Sequence, residues 1–276
     1  MPTDGWLAIG EQRLHYLDWG SHDRPPVLFL HGSAAHAHWW DFVIPPLADR
    51  YRCVALDLRG HGDSCAAPDG NYRLEAHAGD VAAVIAALAL PGAALVGHSF
   101  GGLVAMVCAG QTTADLAALA VIDSRIGLSP RSIRVLGALR RFPPPRYATV
   151  DEALTRFRLL PAGTTAPESV RHHVARHAVT PTADGSWVLK GDRRALGGAN
   201  ACDLSAALAA SALPLLVVRG GRSTVVDAAA LAAFRTAAPH AELAEIADAH
   251  HHIMLDQPAA LTRVLGDFLD RQHAVR

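Results

Sequence analysis

Short, wholly apolar runs alternate with longer segments of helical periodicity along most of the chain. An apolar run of about five residues between turn-forming residues is typical of a strand that is buried on both faces. The pattern predicts eight strands, at residues 7–9, 14–19, 27–30, 52–56, 93–96, 116–122, 214–218 and 241–246. It predicts helices at residues 39–48, 75–89, 103–108, 228–237 and 258–272. Such alternation indicates a mostly parallel sheet with helices on both faces, an α/β fold.

Residues 125–198 interrupt this alternation. The segment is rich in Arg, Pro and His, it contains no buried-strand run, and helical periodicity covers residues 131–141, 150–159 and 167–178. We interpret it as a mostly helical cap that is inserted between two sheet strands and roofs the carboxyl end of the sheet. The predicted domains are therefore a core, residues 1–124 and 199–276, and a cap, residues 125–198.

Composition removes several function classes. The 276 residues are 50% hydrophobic and carry a formal net charge of −1, so the chain can bury a core and has no basic footprint for nucleic acid. The four cysteines show neither metal-ligand spacing nor a disulfide framework. No signal peptide is evident, and the apolar windows are shorter than the roughly 20 residues of a membrane span. We expect a cytoplasmic protein without membrane or nucleic-acid partners.

The most informative motif is Gly97-His98-Ser99-Phe100-Gly101, which follows the predicted strand 93–96 and precedes the helical residues 103–108. In a strand–turn–helix context, a serine flanked in this way lies at the apex of a sharp turn. The turn presents its hydroxyl oxygen at the carboxyl end of the sheet. Ser99 is therefore a candidate nucleophile.

Three further motifs occur in a fixed order around this serine. His31-Gly32-Ser33 follows strand 27–30, a Gly-rich turn at residues 57–64 follows strand 52–56, and a His-rich loop at residues 250–258 lies near the C-terminus. Together the four motifs resemble those of serine hydrolases with the α/β-hydrolase fold. The resemblance covers nearly the whole chain outside the insertion. It implies an eight-stranded, mostly parallel sheet with flanking helices, a helical cap insertion and no cofactor.

The resemblance also assigns roles. Ser99 corresponds to the nucleophile, and His251 to its general base, because Asp256 and Pro258 match the family spacing after that histidine. His250 and His252 are the competing bases. A metal site is the less favoured interpretation of these three residues, because consecutive histidines do not easily present three nitrogens to one ion.

By the same resemblance, the backbone N–H groups of Ser33 and Phe100 form the oxyanion hole. Trp39 and Trp40 follow the loop that carries Ser33, and both are candidate pocket residues. One of them could instead belong to the core.

The acid of the triad is open at the level of sequence. Most family members place it after the strand that corresponds to residues 214–218, where this chain has Ser223 and Thr224. Asp123, at the end of strand 116–122, is the first candidate, since some hydrolases of this fold take their acid from that position. Asp227 is the alternative, although its position favours capping of the next helix. A site without an acid is the third possibility.

We therefore expect a cofactor-independent serine hydrolase that cleaves a carboxylic ester or lactone of a small, largely apolar substrate. Cleavage of a C–C bond with the same residues is one alternative, and a ligand-binding receptor with slow turnover is another. The serine at position 99 argues against dehalogenase or epoxide-hydrolase chemistry, which uses aspartate there on this fold. The sequence determines neither the substrate nor whether the protein is a monomer or a homodimer.

Overall fold

A computed structural model describes residues 1–111, 115–140, 145–196 and 200–273 of the protein. It contains one large sheet. Its eight strands confirm the predicted α/β-hydrolase fold and have the order β1-β2-β4-β3-β5-β6-β12-β13. The first two pairings are antiparallel and the other five are parallel. The strands are β1 (Thr3–Ile9), β2 (Gln12–Trp19), β3 (Pro26–Leu30), β4 (Arg52–Leu56), β5 (Ala93–His98), β6 (Leu116–Ile122), β12 (Leu215–Gly220) and β13 (Glu242–Ile246).

Helices cover both faces of the sheet because successive strand residues point to opposite sides. Val27 and Phe29 pack in one apolar cluster with the C-terminal helix, whereas Leu28 and Leu30 pack in the other with the two helices that precede and follow β5. The core helices are α1 (Leu74–Ala87), α2 (Phe100–Gly110), α6 (Ser205–Ala210), α7 (Ala228–Ala237), α8 (Ile253–Asp256) and α9 (Pro258–His273).

The helix predicted at residues 39–48 is wrong. A 3₁₀ turn, Ala37–Trp40, is followed by irregular turns as far as Tyr51. Pro45 and Pro46 lie in the middle of the predicted helix, and two residues without an N–H group interrupt its hydrogen-bond ladder.

The insertion contains the three expected helices, α3 (Pro130–Leu139), α4 (Val150–Arg156) and α5 (Glu168–His177). It also contains strands that the pattern did not predict. β8 (Arg146–Tyr147), β10 (Trp187–Leu189) and β9 (Val179–Pro181) form a small antiparallel sheet, and β7 (Gly127–Leu128) pairs with β11 (Cys202–Asp203). A second 3₁₀ turn covers Arg193–Ala195. Arg141, which ends one predicted helical patch, and the predicted boundary at residues 198 and 199 lie outside the described residues.

Among the described helices, none combines the length and apolarity needed to cross a membrane.

Candidate active site

Ser99 lies in a strained turn between β5 and α2, with φ 52° and ψ −115°. The residues two positions before and after it have no room for a side chain. A Cβ atom on Gly97 would lie 2.3 Å from the carbonyl oxygen of Gly101, and one on Gly101 would lie 2.4 Å from that of Leu30. The backbone is held by a 2.9 Å hydrogen bond from the Ser99 N–H to the carbonyl of Ile122. Strain of this kind is characteristic of functional sites, and here it exposes the serine side chain at the sheet edge.

The three candidate triad residues form one hydrogen-bonded chain. The Nε2 atom of His251 lies 3.1 Å from the Oγ of Ser99, and its Nδ1 atom lies 2.7 Å from Oδ2 of Asp123. Both His251 and Asp123 are buried. The imidazole therefore has a hydroxyl on one nitrogen and a carboxylate on the other, which is the arrangement that activates a serine.

Asp123 ends β6 in a left-handed conformation, with φ 44°. Besides His251, two groups donate to its carboxylate: the N–H of Gly220 at 3.0 Å and the hydroxyl of Ser223 at 2.5 Å. Ser223 stands where most family members have their acid. It thus donates a hydrogen bond to Asp123, the candidate acid on the adjacent strand.

Asp227 is occupied elsewhere. Its carboxylate accepts from the N–H of Ala230 at the start of α7 and pairs with Arg125 at 2.9 Å. The helix N–H and the guanidinium both lower the pKa of this exposed carboxyl. Neither contact involves His251. The structure therefore gives Asp227 the capping role that its sequence position favoured.

His252 and His250, the competing bases, have other contacts. The Nε2 atom of His252 lies 3.3 Å from the carbonyl of Pro161, and burial together with the neighbouring His251 lowers the pKa of His252 to about 3. The backbone N–H of His250 donates to Asp256 at 2.7 Å. Of the three consecutive histidines, His251 is the one hydrogen-bonded to Ser99.

His98 was not predicted to have a role, although it lies between Gly97 and Ser99. Its Nε2 donates to the carbonyl oxygen of His251 at 2.9 Å, so it fixes the backbone of the candidate base. Burial, and then the nearby imidazoles of His251 and His252, lower the pKa of His98 well below its ordinary value. A neutral ring suits this position, because a second cation would oppose protonation of His251.

The candidate oxyanion donors flank the serine. Phe100 is the first residue of α2, so its N–H has no partner within the helix. Gly32 precedes Ser33 and lies close to the turn that carries Ser99: a Cβ atom on Gly32 would lie 3.2 Å from that of Ser99. Within the described part of the chain, neither the Ser33 nor the Phe100 N–H donates a backbone hydrogen bond. Both donors are available to a substrate oxygen.

A cavity of about 340 Å³ lies between the loop that carries Ser33 and the insertion, residues 125–198. Ser33 and Trp39 line its core side, and Phe157, Leu159 and Leu189 are among the insertion residues that line the other. Trp40 is not a pocket residue. It is wholly buried, and its ring packs on Phe29 with 5.1 Å between centroids.

Asp256 connects the histidine loop to the insertion. One carboxylate oxygen accepts from the hydroxyl of Thr164 and from the N–H groups of Thr165 and Ala166, while the other accepts from the His250 N–H. The acidic residue that identified His251 by its spacing is thus a structural link beside the site.

A model of the alpha/beta hydrolase fold family matches residues 25–258. The esterase Rv0045c of Mycobacterium tuberculosis is 32% identical over 262 residues, which cover 92% of this chain and 85% of that protein. A 2-(acetamidomethylene)succinate hydrolase of Mesorhizobium japonicum is 27% identical over 278 residues, or 96% and 94% of the two chains. An epoxide hydrolase of Caenorhabditis elegans is 39% identical over 113 residues, which are 39% of this chain and 28% of that protein.

Solved structures agree with these matches. The crystal structure of E-2-(acetamidomethylene)succinate hydrolase superposes with a TM-score of 0.85 at 24% identity and covers 98% of this chain and 100% of that one. A structure of the M. tuberculosis esterase Rv0045c, described together with its transition metal inhibition, superposes with a TM-score of 0.81 at 25% identity. The superposition covers 98% of this chain and 92% of that one. Because its identity is only 24%, the likeness to the E-2-(acetamidomethylene)succinate hydrolase structure shows the fold alone.

Proposed function

Because the chain belongs to the alpha/beta hydrolase fold family, we propose that it is a serine hydrolase that cleaves a carboxylic ester or lactone through an acyl-enzyme. The observation that carries the proposal is the continuous chain of hydrogen bonds from Asp123 through His251 to Ser99, with distances of 2.7 and 3.1 Å. The esterase relative supports the ester as the substrate class.

In the first half of the reaction, Nε2 of His251 takes the proton of Ser99 as Oγ attacks the acyl carbonyl. Asp123 accepts a hydrogen bond from Nδ1, so it holds the ring in the required tautomer and stabilises the imidazolium that forms. The carbonyl oxygen becomes an oxyanion and accepts from the N–H groups of Ser33 and Phe100. One such donor contributes about 3 kcal/mol to the barrier reduction in serine hydrolases.

Collapse of this intermediate breaks the ester C–O bond. The imidazolium of His251 gives its proton to the leaving alcohol oxygen, and the acyl group remains on Oγ of Ser99. A water molecule then gives a proton to Nε2 of His251 and attacks the acyl carbon. The second collapse releases the carboxylic acid, and the proton returns from His251 to Ser99.

The cavity supports a small substrate with an apolar part. Its volume of about 340 Å³ is at the lower end of the range for ligand pockets. Trp39 on the core side and Phe157, Leu159 and Leu189 on the insertion side give it apolar walls. Residues 125–198 act in this proposal as the cap that completes the pocket. The hydrogen bonds from Thr164, Thr165 and Ala166 to Asp256 support that role.

Arg158 favours a second candidate, hydrolysis of an amide or C–C bond in a substrate that carries a carboxylate. It lines the cavity, and its guanidinium donates to the backbone carbonyls of Thr155 and Phe157. Arg158 is exposed and presents its positive charge at the cavity wall. The relative named 2-(acetamidomethylene)succinate hydrolase suggests the same class, since a succinate carries two carboxyl groups.

Steady-state and burst kinetics separate these functions. Wild-type protein is tested against short-chain aryl esters, lactones, an N-acyl aminomethylene dicarboxylate and a dienone C–C substrate. We expect ester turnover with a burst of one equivalent of alcohol, which disappears in Ser99→Ala and persists in Ser21→Ala, an exposed serine. Turnover confined to the dicarboxylate would favour the second candidate. Folded wild-type protein that turns over none of the four would overturn both.

A further inference from the structure

Four side chains with metal-binding atoms meet outside the triad, where the insertion contacts the core. His38 belongs to the 3₁₀ turn Ala37–Trp40, Asp41 follows it directly, and His173 and His177 belong to α5. The two helix residues are four positions apart, so they share one face of α5. One ligand atom from each of the four residues lies within 4.8 Å of all the others.

Hydrogen bonds already draw these groups together. Oδ2 of Asp41 lies 2.9 Å from Nδ1 of His38 and 2.7 Å from Nε2 of His173. The rings of His38 and His177 stack with centroids 3.6 Å apart, and those of His173 and His177 are 4.8 Å apart. Three imidazoles and one carboxylate are thus collected from two segments that are more than 130 positions apart in sequence.

A network of hydrogen bonds alone does not account for the cluster. It uses Oδ2 of Asp41 twice but leaves Oδ1 of the same carboxylate buried without a partner. His177 makes no hydrogen bond to another described residue, although it is stacked among the other rings. A buried carboxylate oxygen without a donor costs free energy. A cation between the four residues would remove that cost.

The ligand set and spacing fit an ion that prefers nitrogen and oxygen in a tetrahedron. Zinc binds histidine nitrogen and carboxylate oxygen at about 2.0–2.1 Å, which places neighbouring ligand atoms about 3.3 Å apart. The four ligand atoms lie within 4.8 Å of one another, so they must move closer together to reach this spacing. The main movement separates the stacked rings of His38 and His177 so that one nitrogen of each faces the ion.

We propose that His38, Asp41, His173 and His177 bind one divalent transition-metal ion of the zinc class. The ion joins α5 of the insertion to the turn that carries Trp39, a wall of the cavity. A 2.9 Å hydrogen bond from Nε2 of His36 to the carbonyl of Val174 already links the same two segments. Metal binding therefore strengthens an existing contact between insertion and core beside the substrate cavity.

The first test is calorimetric titration of untagged protein with Zn²⁺, with Co²⁺ as a spectroscopic probe. We expect one ion per chain and the visible absorption of tetrahedral Co²⁺. His177→Ala and Asp41→Asn should each weaken binding at least tenfold and abolish the tetrahedral spectrum. His172→Ala is the matched control, since this exposed histidine lies on α5 but outside the cluster.

Two further measurements locate the ion. His98, His251 and His252 form another group of possible ligands, so His251→Ala must keep Zn²⁺ binding if the proposal holds. Zn²⁺ at roughly a hundred times its Kd should raise the Tm of the wild type by about 5 °C. It should also slow amide exchange at residues 168–177, and both effects should be clearly smaller in His177→Ala at the same Zn²⁺ concentration.

The proposal is overturned if the wild type binds no Zn²⁺, if His177→Ala and Asp41→Asn bind as tightly as the wild type, or if His251→Ala abolishes binding. Circular dichroism checks that each variant is folded. If Asp41→Asn does not fold, His173→Gln, at a half-exposed position on α5, gives the same comparison.

Discussion

The carboxylate of Asp123 accepts hydrogen bonds from three residues in two segments that are distant from it in sequence: Gly220 and Ser223, at the end of β12 and in the turn after it, and His251 after β13. Each donor helps to fix the direction of this carboxylate. The carboxylate at the end of β6 is therefore placed to orient the imidazole of His251, and the turn after β12 contributes a hydroxyl that holds the carboxylate.

Replacing Asp123 by Asn tests this role. We expect kcat to fall by about 10⁴, because an amide neither stabilises the imidazolium nor enforces the tautomer. Asp227→Asn should leave kcat unchanged, since asparagine also caps a helix N-terminus. Ester hydrolysis by the two purified variants gives the comparison. The opposite ranking would show that Asp227 is the acid.

Ser223→Ala removes one of the three donors to Asp123. We expect kcat to fall about tenfold, or about 1.4 kcal/mol in the barrier, with KM unchanged, because the acid is less well oriented while the pocket is intact. Thr224→Ala is the control, as Thr224 is exposed and adjacent. A Ser223→Ala enzyme with wild-type kcat would mean that the hydroxyl has no part in orienting the acid.

The positions of Ser99, Asp123 and His251 were predictable because each follows an apolar strand, and the carboxyl ends of parallel strands meet at one edge. The contacts of Ser223 and His98 could not be predicted from the sequence. The first depends on β6 lying beside β12, and the second on the path of the loop after β13. Neither neighbour relation is encoded in local periodicity.

Helix α1 buries a histidine whose ring nitrogens have no hydrogen-bond partner among the described residues. This residue, His77, is fully buried, and its ring packs edge-to-face on Phe100 with 5.0 Å between centroids. Burial, and then the nearby His61, lower its pKa well below the ordinary value. The helix therefore holds a neutral imidazole whose polarity is not used.

His77→Leu should stabilise the fold. At pH 7.5 we expect a gain of about 1 kcal/mol in the free energy of unfolding, since an unsatisfied buried polar group is removed. The gain should be larger at pH 5.5, where the unfolded wild type binds a proton that folded His77 does not. Urea unfolding at both pH values measures it. A variant that is less stable than the wild type at pH 5.5 would contradict this account.

Long elements were predicted more successfully than short ones. All eight strands of the large sheet are confirmed: β3, β6 and β12 contain continuous apolar runs, whereas β1, β2 and β13 mix apolar with polar residues. The helix predicted at residues 39–48 was wrong because its apolar spacing outweighed Pro45 and Pro46 in the interpretation. Strands β8, β9 and β10 were missed because two or three residues are too few to show a period.

Among the histidines that the structure describes, seven buried or partly buried ones have a pKa below the ordinary value, with burial as the largest cause. They are His31, His36, His61, His77, His98, His177 and His252. His15 is opposite: burial opposes its charge, but the hydrogen bond and charge of Asp57 raise its pKa. The unfolded chain therefore binds more protons than the folded one between about pH 6.5 and pH 4.

Stability should consequently fall as the pH is lowered through this range. At pH 5.5, each of these neutral histidines lowers the free energy of unfolding by up to about 1 kcal/mol, and the raised pKa of His15 acts in the opposite direction. We expect a net loss of at least about 3 kcal/mol between pH 7.5 and pH 5.5 in urea unfolding. Equal or greater stability at pH 5.5 would show that these histidines are protonated in the folded state.

The most direct test of the central claim, that Ser99 is a nucleophile activated by His251 and Asp123, is labelling with a fluorophosphonate followed by peptide mass mapping. The wild type should carry one adduct, on Ser99, and Ser99→Ala should carry none. The labelling rate should fall by orders of magnitude in Asp123→Asn and stay unchanged in Asp227→Asn. Folded wild-type protein that is not labelled, or an adduct on any other residue, would contradict the account.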